Sequence, residues 1–283
     1  MDIRRVEIGD QALAVVDKGR GAPVLLVHGF PLDHSMWSGQ IDSLSDRFRV
    51  IAPDLRGFGA SGVAEGIATM EGFADDLARL LDALQIDRPA TFVGLSMGGY
   101  IAWQFWRRHP ERLDRLVLCD TRALPDSEDT ARGRLLTAER VLVQGPSVIA
   151  EPMIERLFAP ATRAAAAGVA GAGVAGGRGA ADCVESVRRV ILSTSPLSIA
   201  AALRGMAQRV DASPWLPLID LPTLVVCGEH DGISPPSEMR SLAESMRQAT
   251  FVQLDGVGHM APLESPAEFN ARLTEWLAGT RGR

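Results

Sequence analysis

Short runs of consecutive apolar residues alternate along this chain with segments whose apolar positions recur every three to four residues. "PVLLVHG" (23–29), "FRVIAPD" (48–54), "ATFVGLS" (90–96) and "LDRLVLCD" (113–120) have strand length and read as strands buried within a sheet. Between them, "MEGFADDLARLLDAL" (70–84) carries Phe73, Leu77, Leu80, Leu81 and Leu84 at helical spacing. "MGGYIAWQFWRRHPERL" predicts a further helix that ends near Pro110. The alternation predicts an α/β fold with a mostly parallel central sheet and helices on both faces. The opening "IRRVEIGDQALAVVDKG" alternates apolar and polar residues instead, and predicts an antiparallel hairpin at the edge of that sheet.

The pattern changes between Thr121 and Trp215. "DTARGRLLTAERVLVQG" and "CVESVRRVILSTSPLSIAAALRGMAQRV" read as long helical stretches with no strand run between them. Residues 121–215 therefore predict a helical cap inserted after the sixth strand, and residues 1–120 with 216–283 the core. Inside the cap, "ATRAAAAGVAGAGVAGGRGAAD" (161–182) is a low-complexity Ala/Gly tract with few large apolar groups to bury, expected as a mobile loop or frayed helix. Strand and helix patterns resume in "LPTLVVCGEHD" (221–231), "PSEMRSLAESM", "ATFVQLDGVGH" and "SPAEFNARLTEWLAG".

Composition narrows the class without changing that outline. A chain of 283 residues, 46% hydrophobic and 23% charged, can build one sizeable core. Its formal net charge of −6 weighs against a general affinity for nucleic acid or anionic membrane. No apolar run approaches the roughly 20 residues of a membrane-spanning helix, and the N-terminus lacks the apolar block of a signal peptide. The three cysteines are widely spaced with no CxxC pair, and Cys119 and Cys227 fall in strand-like runs as buried thiols. The expected location is the cytoplasm.

The chemistry centres on Gly94-Leu95-Ser96-Met97-Gly98, a G-x-S-x-G between a strand and a helix. Such a turn projects the serine from the top of a sheet, and its glycines admit neighbouring backbone too close for a Cβ. A serine hydroxyl needs a base, normally a histidine oriented by a carboxylate. His259, in the loop "DGVGHMAPLESP", is the leading candidate. His109 follows a basic helix end, His34 lies in an early loop and His230 adjoins an acid. Asp231 ends the run "TLVVCGEHD" and leads as the orienting acid; Asp120, at the end of "LVLCD", is its rival and Glu229 a distant third. The oxyanion of an acyl-transfer intermediate needs N–H donors, for which Met97 and Phe30 are the candidates. His28 is expected to hold its loop by hydrogen bonds to backbone, and Arg56 to brace the loop after its strand.

Taken together, "HGFPLDHSMW", "IAPDLRGFGAS", "GLSMGG", "CGEHD" and "GVGHM" resemble the α/β-hydrolase superfamily over nearly the whole chain. "HGFPLD", "GLSMGG" and "LCDTRA" are similar to the branch of 3-oxoadipate enol-lactonases, small carboxylesterases and cofactor-free haloperoxidases or perhydrolases. The resemblance implies hydrolysis of small esters or lactones through a serine acyl-enzyme, with no metal or organic cofactor. The aspartate nucleophile of haloalkane dehalogenases and epoxide hydrolases is missing, since residue 96 is serine. Carbon–carbon bond hydrolases of the fold usually carry asparagine where this chain has Leu95, which makes them the runner-up. Pro31 matches perhydrolase-type members, so peracid formation is an expected side activity. A ligand receptor or scaffold on the same fold is the non-enzymatic alternative. Trp37, Leu124, Met153, Phe158 and Leu197 are candidates for an apolar acyl pocket, and Arg122 for a substrate carboxylate.

Overall fold

The apolar runs become the strands of one eight-stranded sheet, ordered β1-β2-β4-β3-β5-β6-β7-β8, in a computed structural model that describes residues 2–168 and 179–280. β1 (Arg4–Glu7) and β2 (Ala12–Lys18) form the expected antiparallel hairpin at one edge, and β2 also pairs antiparallel with β4 (Phe48–Pro53). Every remaining pairing is parallel, through β3 (Ala22–Val27), β5 (Ala90–Leu95), β6 (Leu113–Cys119), β7 (Thr223–Gly228) and β8 (Ala249–Leu254). Strands β5 and β7 are buried at every position, which is why their sequences run apolar rather than alternate.

The helices that flank the sheet are α1 (Ser38–Leu44), α2 (Met70–Ala83) and α3 (Met97–Arg108) before β6. Among the described residues five more follow between β6 and β7: α4 (Glu128–Gln144), α5 (Ser147–Leu157), α6 (Pro160–Ala166), α7 (Ala180–Ser193) and α8 (Pro196–Ala207). The C-terminal set is α9 (Pro236–Glu244), α10 (Ala261–Glu264) and α11 (Pro266–Gly279). Local chemistry sets several of these starts. Thr69 and Ser127 cap α2 and α4 by accepting the N–H groups of Gly72 and Thr130, and Glu128 and Asp129 place acidic groups in the first turn of α4.

The long stretch 183–210 does not form one helix. Pro196 supplies no N–H and excludes Ser195 from helical geometry (φ −55, ψ 130), so α7 and α8 meet at 96°. The Ala/Gly tract is part helix: α6 takes its start and α7 its end, while residues 169–178 lie outside the described residues. Among the described residues no single helix is long and apolar enough to cross a membrane.

The helical insert is fastened to loops at the C-terminal ends of the parallel strands. Thr194 Oγ1 donates to Pro31 O after β3 (3.3 Å), and Ala64 and Ala68 after β4 donate to Ser198 Oγ (3.1 Å) and Ala201 O (3.0 Å). At its root, the buried Asp126 carboxylate accepts from both Arg134 and Arg209.

Candidate active site

Four adjacent parallel strands, β5 to β8, each deliver one titratable or nucleophilic group just past their C-terminal ends: Ser96, Asp120, Asp231 and His259. This edge is where open parallel sheets gather their functional groups. Ser96 sits at φ 53, ψ −110, a left-handed conformation rare for a residue with a side chain. The turn is enforced by contact: a Cβ on Gly94 would stand 2.5 Å from Gly98 O, and one on Gly98 only 2.4 Å from Val27 O. Hydrogen bonds pin the serine on both sides. Its N–H donates to Cys119 O (2.9 Å), and its carbonyl accepts from Thr121 Oγ1 (2.7 Å) and Gly99 N (2.9 Å).

The loop after β3 runs against this turn, since a Cβ on Gly29 would lie 3.4 Å from Ser96 Cβ. Among the described residues, no backbone carbonyl takes up the N–H of Phe30 or of Met97, the first residue of α3. The Phe30–Pro31 peptide is cis. His28 anchors the loop as its position suggests. Its Nε2 accepts from Leu55 N (3.0 Å), so the proton resides on Nδ1 and is donated to Gly29 O (2.9 Å). With both nitrogens committed and burial pushing its pKa down, His28 stays neutral and is no base.

Asp231 and His259 form a buried pair, with His259 Nδ1 donating to Asp231 Oδ2 at 2.8 Å. The other carboxylate oxygen accepts from Ile233 N (2.7 Å) and Ser234 N (3.0 Å). Burial works against this charge, but the imidazole and the three hydrogen bonds outweigh it and hold the carboxyl below its usual range. The Nε2 atom of His259 is the one left for a reacting group. Among the described residues no hydrogen bond joins it to Ser96 Oγ, a contact that in unliganded sites often tightens only when substrate binds.

Asp120 is in the opposite state. It is fully buried at φ 47; Oδ1 accepts one N–H, from Gly228 at 2.8 Å, Oδ2 accepts from no donor among the described residues, and the carboxyl faces that of Asp231. Burial, reinforced by the charge on Asp231, pushes its carboxyl well up, so it holds its proton. Of the two candidate acids, Asp231 is the one hydrogen-bonded to His259. Glu229 points elsewhere and accepts from Gly256 N. Cys119 and Cys227 lie beside the carboxyl pair as buried thiols whose pKa values are pushed well up by burial.

Among the described residues two groups of side chains have metal-like spacing: Asp33, His34 and Asp54, and Asp120, Cys227 and Asp231. In the second, Asp231 already accepts from His259 Nδ1, Ile233 N and Ser234 N. In the first, Asp54 already accepts from His34 N, His34 Nδ1 and Ala60 N. In each group a carboxylate is thus already taken up by donors of the protein itself.

The remaining sequence candidates are scattered. Trp37 has no exposed surface and packs on Phe269 with ring centroids 6.3 Å apart, and Phe158 is likewise buried. Met153 is half-buried against that core, whereas Leu124 and Leu197 are exposed. Arg122 is engaged by Glu238 on α9 (2.7 Å), the ion pair of a braced strand end. Arg56 makes a two-pronged contact with Asp76 on α2. His109 pairs with Asp75, His34 with Asp54, and His230 is exposed beside Glu229. A cavity of about 550 Å³ lined by Arg56, Asp75 and Arg79 contains none of the four groups at the sheet edge. Thr121, which holds the serine's carbonyl, and Glu264, beneath His259, were not singled out by sequence; only their nearness to Asp120 and His259 pointed to them.

Comparison with known proteins bears on the family and the fold. A family model described as alpha/beta hydrolase fold matches residues 22–140 and 188–266. The chain is 44% identical to a thermophilic esterase from Thermogutta terrifontis, whose malate-bound structure superposes with a TM-score of 0.90 over 98% of each chain. It is 29% identical to 3-oxoadipate enol-lactonase 2 of Acinetobacter baylyi over 83% of this chain and 81% of that protein. The enol-lactonase of Burkholderia xenovorans is 27% identical, with a TM-score of 0.84 over 97% of this chain and 100% of that one.

Proposed function

The chain belongs to the α/β-hydrolase family, and from that premise we propose that it is a serine hydrolase cleaving small carboxylic esters or lactones through an acyl-enzyme. The observation that carries this reading is the buried His259–Asp231 pair, 2.8 Å between Nδ1 and Oδ2, on the same sheet edge as the strained Ser96 turn. Ser96 Oγ attacks the carbonyl carbon as His259 Nε2 takes its proton. The N–H groups of Phe30 and Met97 stabilise the tetrahedral oxyanion. His259 then protonates the departing alkoxide, and in the second half it activates the water that releases the acid. Asp231 keeps the imidazole in the tautomer that presents a bare Nε2, and stabilises the imidazolium that forms.

The helical insert serves as the cap over this edge, since it is bonded to the loops after β3 and β4. Ring-opening of a lactone is a second reading, favoured by the enol-lactonases among the relatives; it needs the same residues.

A fluorophosphonate reagent followed by peptide mapping tests the reading. Labelling at Ser96, abolished by S96A, is the expected result; a folded protein that stays unlabelled overturns it. Loss of Ser96 lowers ester turnover by on the order of 10³- to 10⁶-fold. A series of p-nitrophenyl esters and small lactones then separates esterase from lactonase.

A further inference from the structure

We propose that Glu264 is a positioning residue, a single carboxylate that fastens the His259 loop to the helical insert so that the placement of the imidazole depends on the insert's seating. The inference rests on the role proposed for His259. Glu264 is the last residue of α10, five positions after His259, and only 2% exposed. Its two oxygens face different parts of the chain. Oε1 accepts from Gly258 N (2.8 Å), the backbone N–H of the residue just before His259. Oε2 accepts from Ala159 N (2.9 Å) and Thr162 Oγ1 (2.6 Å), at the junction of α5 and α6 in the insert.

Packing leaves the clasped peptide little freedom. A Cβ on Gly258 would stand 2.6 Å from Ala159 N and 2.9 Å from Phe158 C, so the two backbones are in direct contact. On the other side, a Cβ on Gly228 at the end of β7 would be 2.0 Å from Gly258 O. Gly258 is thus held between a core strand, the insert and the carboxylate, and the next residue along is the base. A carboxylate is a costly group to bury for mere space filling. Burial does push this one's pKa up, against the hydrogen bonds from Thr162, Ala159 and Gly258. What distinguishes a carboxylate here is that all three partners present N–H or O–H groups, which calls for an acceptor at both oxygens. A glutamine places an NH₂ against one of the two backbone N–H groups whichever way it is turned. One side of the clasp must then open.

The test is E264Q, read by turnover of p-nitrophenyl acetate and by the NMR signals of ¹⁵N-histidine-labelled protein, including the proton shared between His259 and Asp231. Thermal melting reports whether each variant is folded. The expected result is a folded E264Q whose kcat falls between about tenfold and 10²-fold, as for a misplaced catalytic group. KM for so small an ester changes much less, and the His259 signals shift. T162V, which loosens only the insert side, should shift the same His259 signals by a smaller amount. A folded E264Q with unchanged kcat and unchanged His259 signals overturns the inference. If E264Q does not fold, T162V decides by the same signals, and an unmoved His259 overturns it. Should the wild-type protein hydrolyse no ester, the proposed function fails, while the NMR shifts still judge the clasp.

Discussion

The loops that follow β6 and β7 each carry an aspartate to the same sheet edge, at nearly the same depth, and the two carboxyls end in opposite states. Asp231 receives two backbone N–H groups and an imidazole, and stays ionised. Asp120 receives one N–H, has an oxygen that accepts from no donor among the described residues, and keeps its proton. Burial works against the charge on both; the imidazole beside Asp231, together with its hydrogen bonds, outweighs burial there, and Asp120 has no such neighbour. Once Asp231 is ionised, its charge adds to the cost of ionising its neighbour, and the pair settles with a single negative charge.

The sharpest way to break this contrast is to exchange each carboxyl for its amide. D231N should lower kcat by on the order of 10⁴-fold, because an amide favours the wrong imidazole tautomer. An ester assay under saturating substrate measures it. T121V removes a hydrogen bond to the Ser96 carbonyl without touching either acid. It should cost about 1 kcal/mol of stability, seen as a lower denaturant midpoint, and less activity than D231N. D120N keeps an oxygen for Gly228 N–H, and its kcat should stay within about threefold of wild type, a change under about 1 kcal/mol. A D120N enzyme as damaged as D231N would make the two acids equivalent.

The smallest effect is the most diagnostic in sign. The folded-state pKa of Asp120 lies above its unfolded value of about 3.9, so wild-type stability falls as pH rises through that value while the folded protein still holds the proton. D120N removes this loss, and its Tm relative to wild type should rise between pH 4 and 7 by roughly 2–4 °C. Asp231 behaves in reverse. Its stabilisation is complete above the unfolded value and is lost as pH falls through the lowered folded one. The Tm deficit of D231N should therefore hold above pH 4 and shrink below it. Melting curves of both variants across that range test the pair, and two differences moving in step would contradict the contrast.

Much of this edge was legible in the chain. Gly94 and Gly98 announced a turn too tight for side chains, and the strand runs placed Ser96, Asp120, Asp231 and His259 at neighbouring strand ends. The choice between Asp120 and Asp231 was not legible to the same degree. It depends on which way the backbone of residues 228–234 turns its N–H groups, and a string of residue types does not encode that direction. Trp37 could be read as pocket wall or as core, because the partner it packs on, Phe269, comes from the far end of the chain. Arg122 looked available for a ligand until Glu238 met it. Glu264 escaped notice for a related reason: its partners at 159 and 162 are more than a hundred positions away, and no local spacing marks such a clasp. The break between α7 and α8 was the opposite case, since Pro196 stood in plain view inside an otherwise helical pattern.

The two sulfurs that flank the carboxyl pair have a practical consequence. Cys119 and Cys227 have no surface for a reagent to reach, and both keep their protons far above neutrality, so alkylating agents should pass them by while the native sheet holds. Their modification then clocks the opening of the innermost strands, and mass spectrometry of iodoacetamide-treated protein would read out global unfolding at the very centre of the molecule, with no engineered probe.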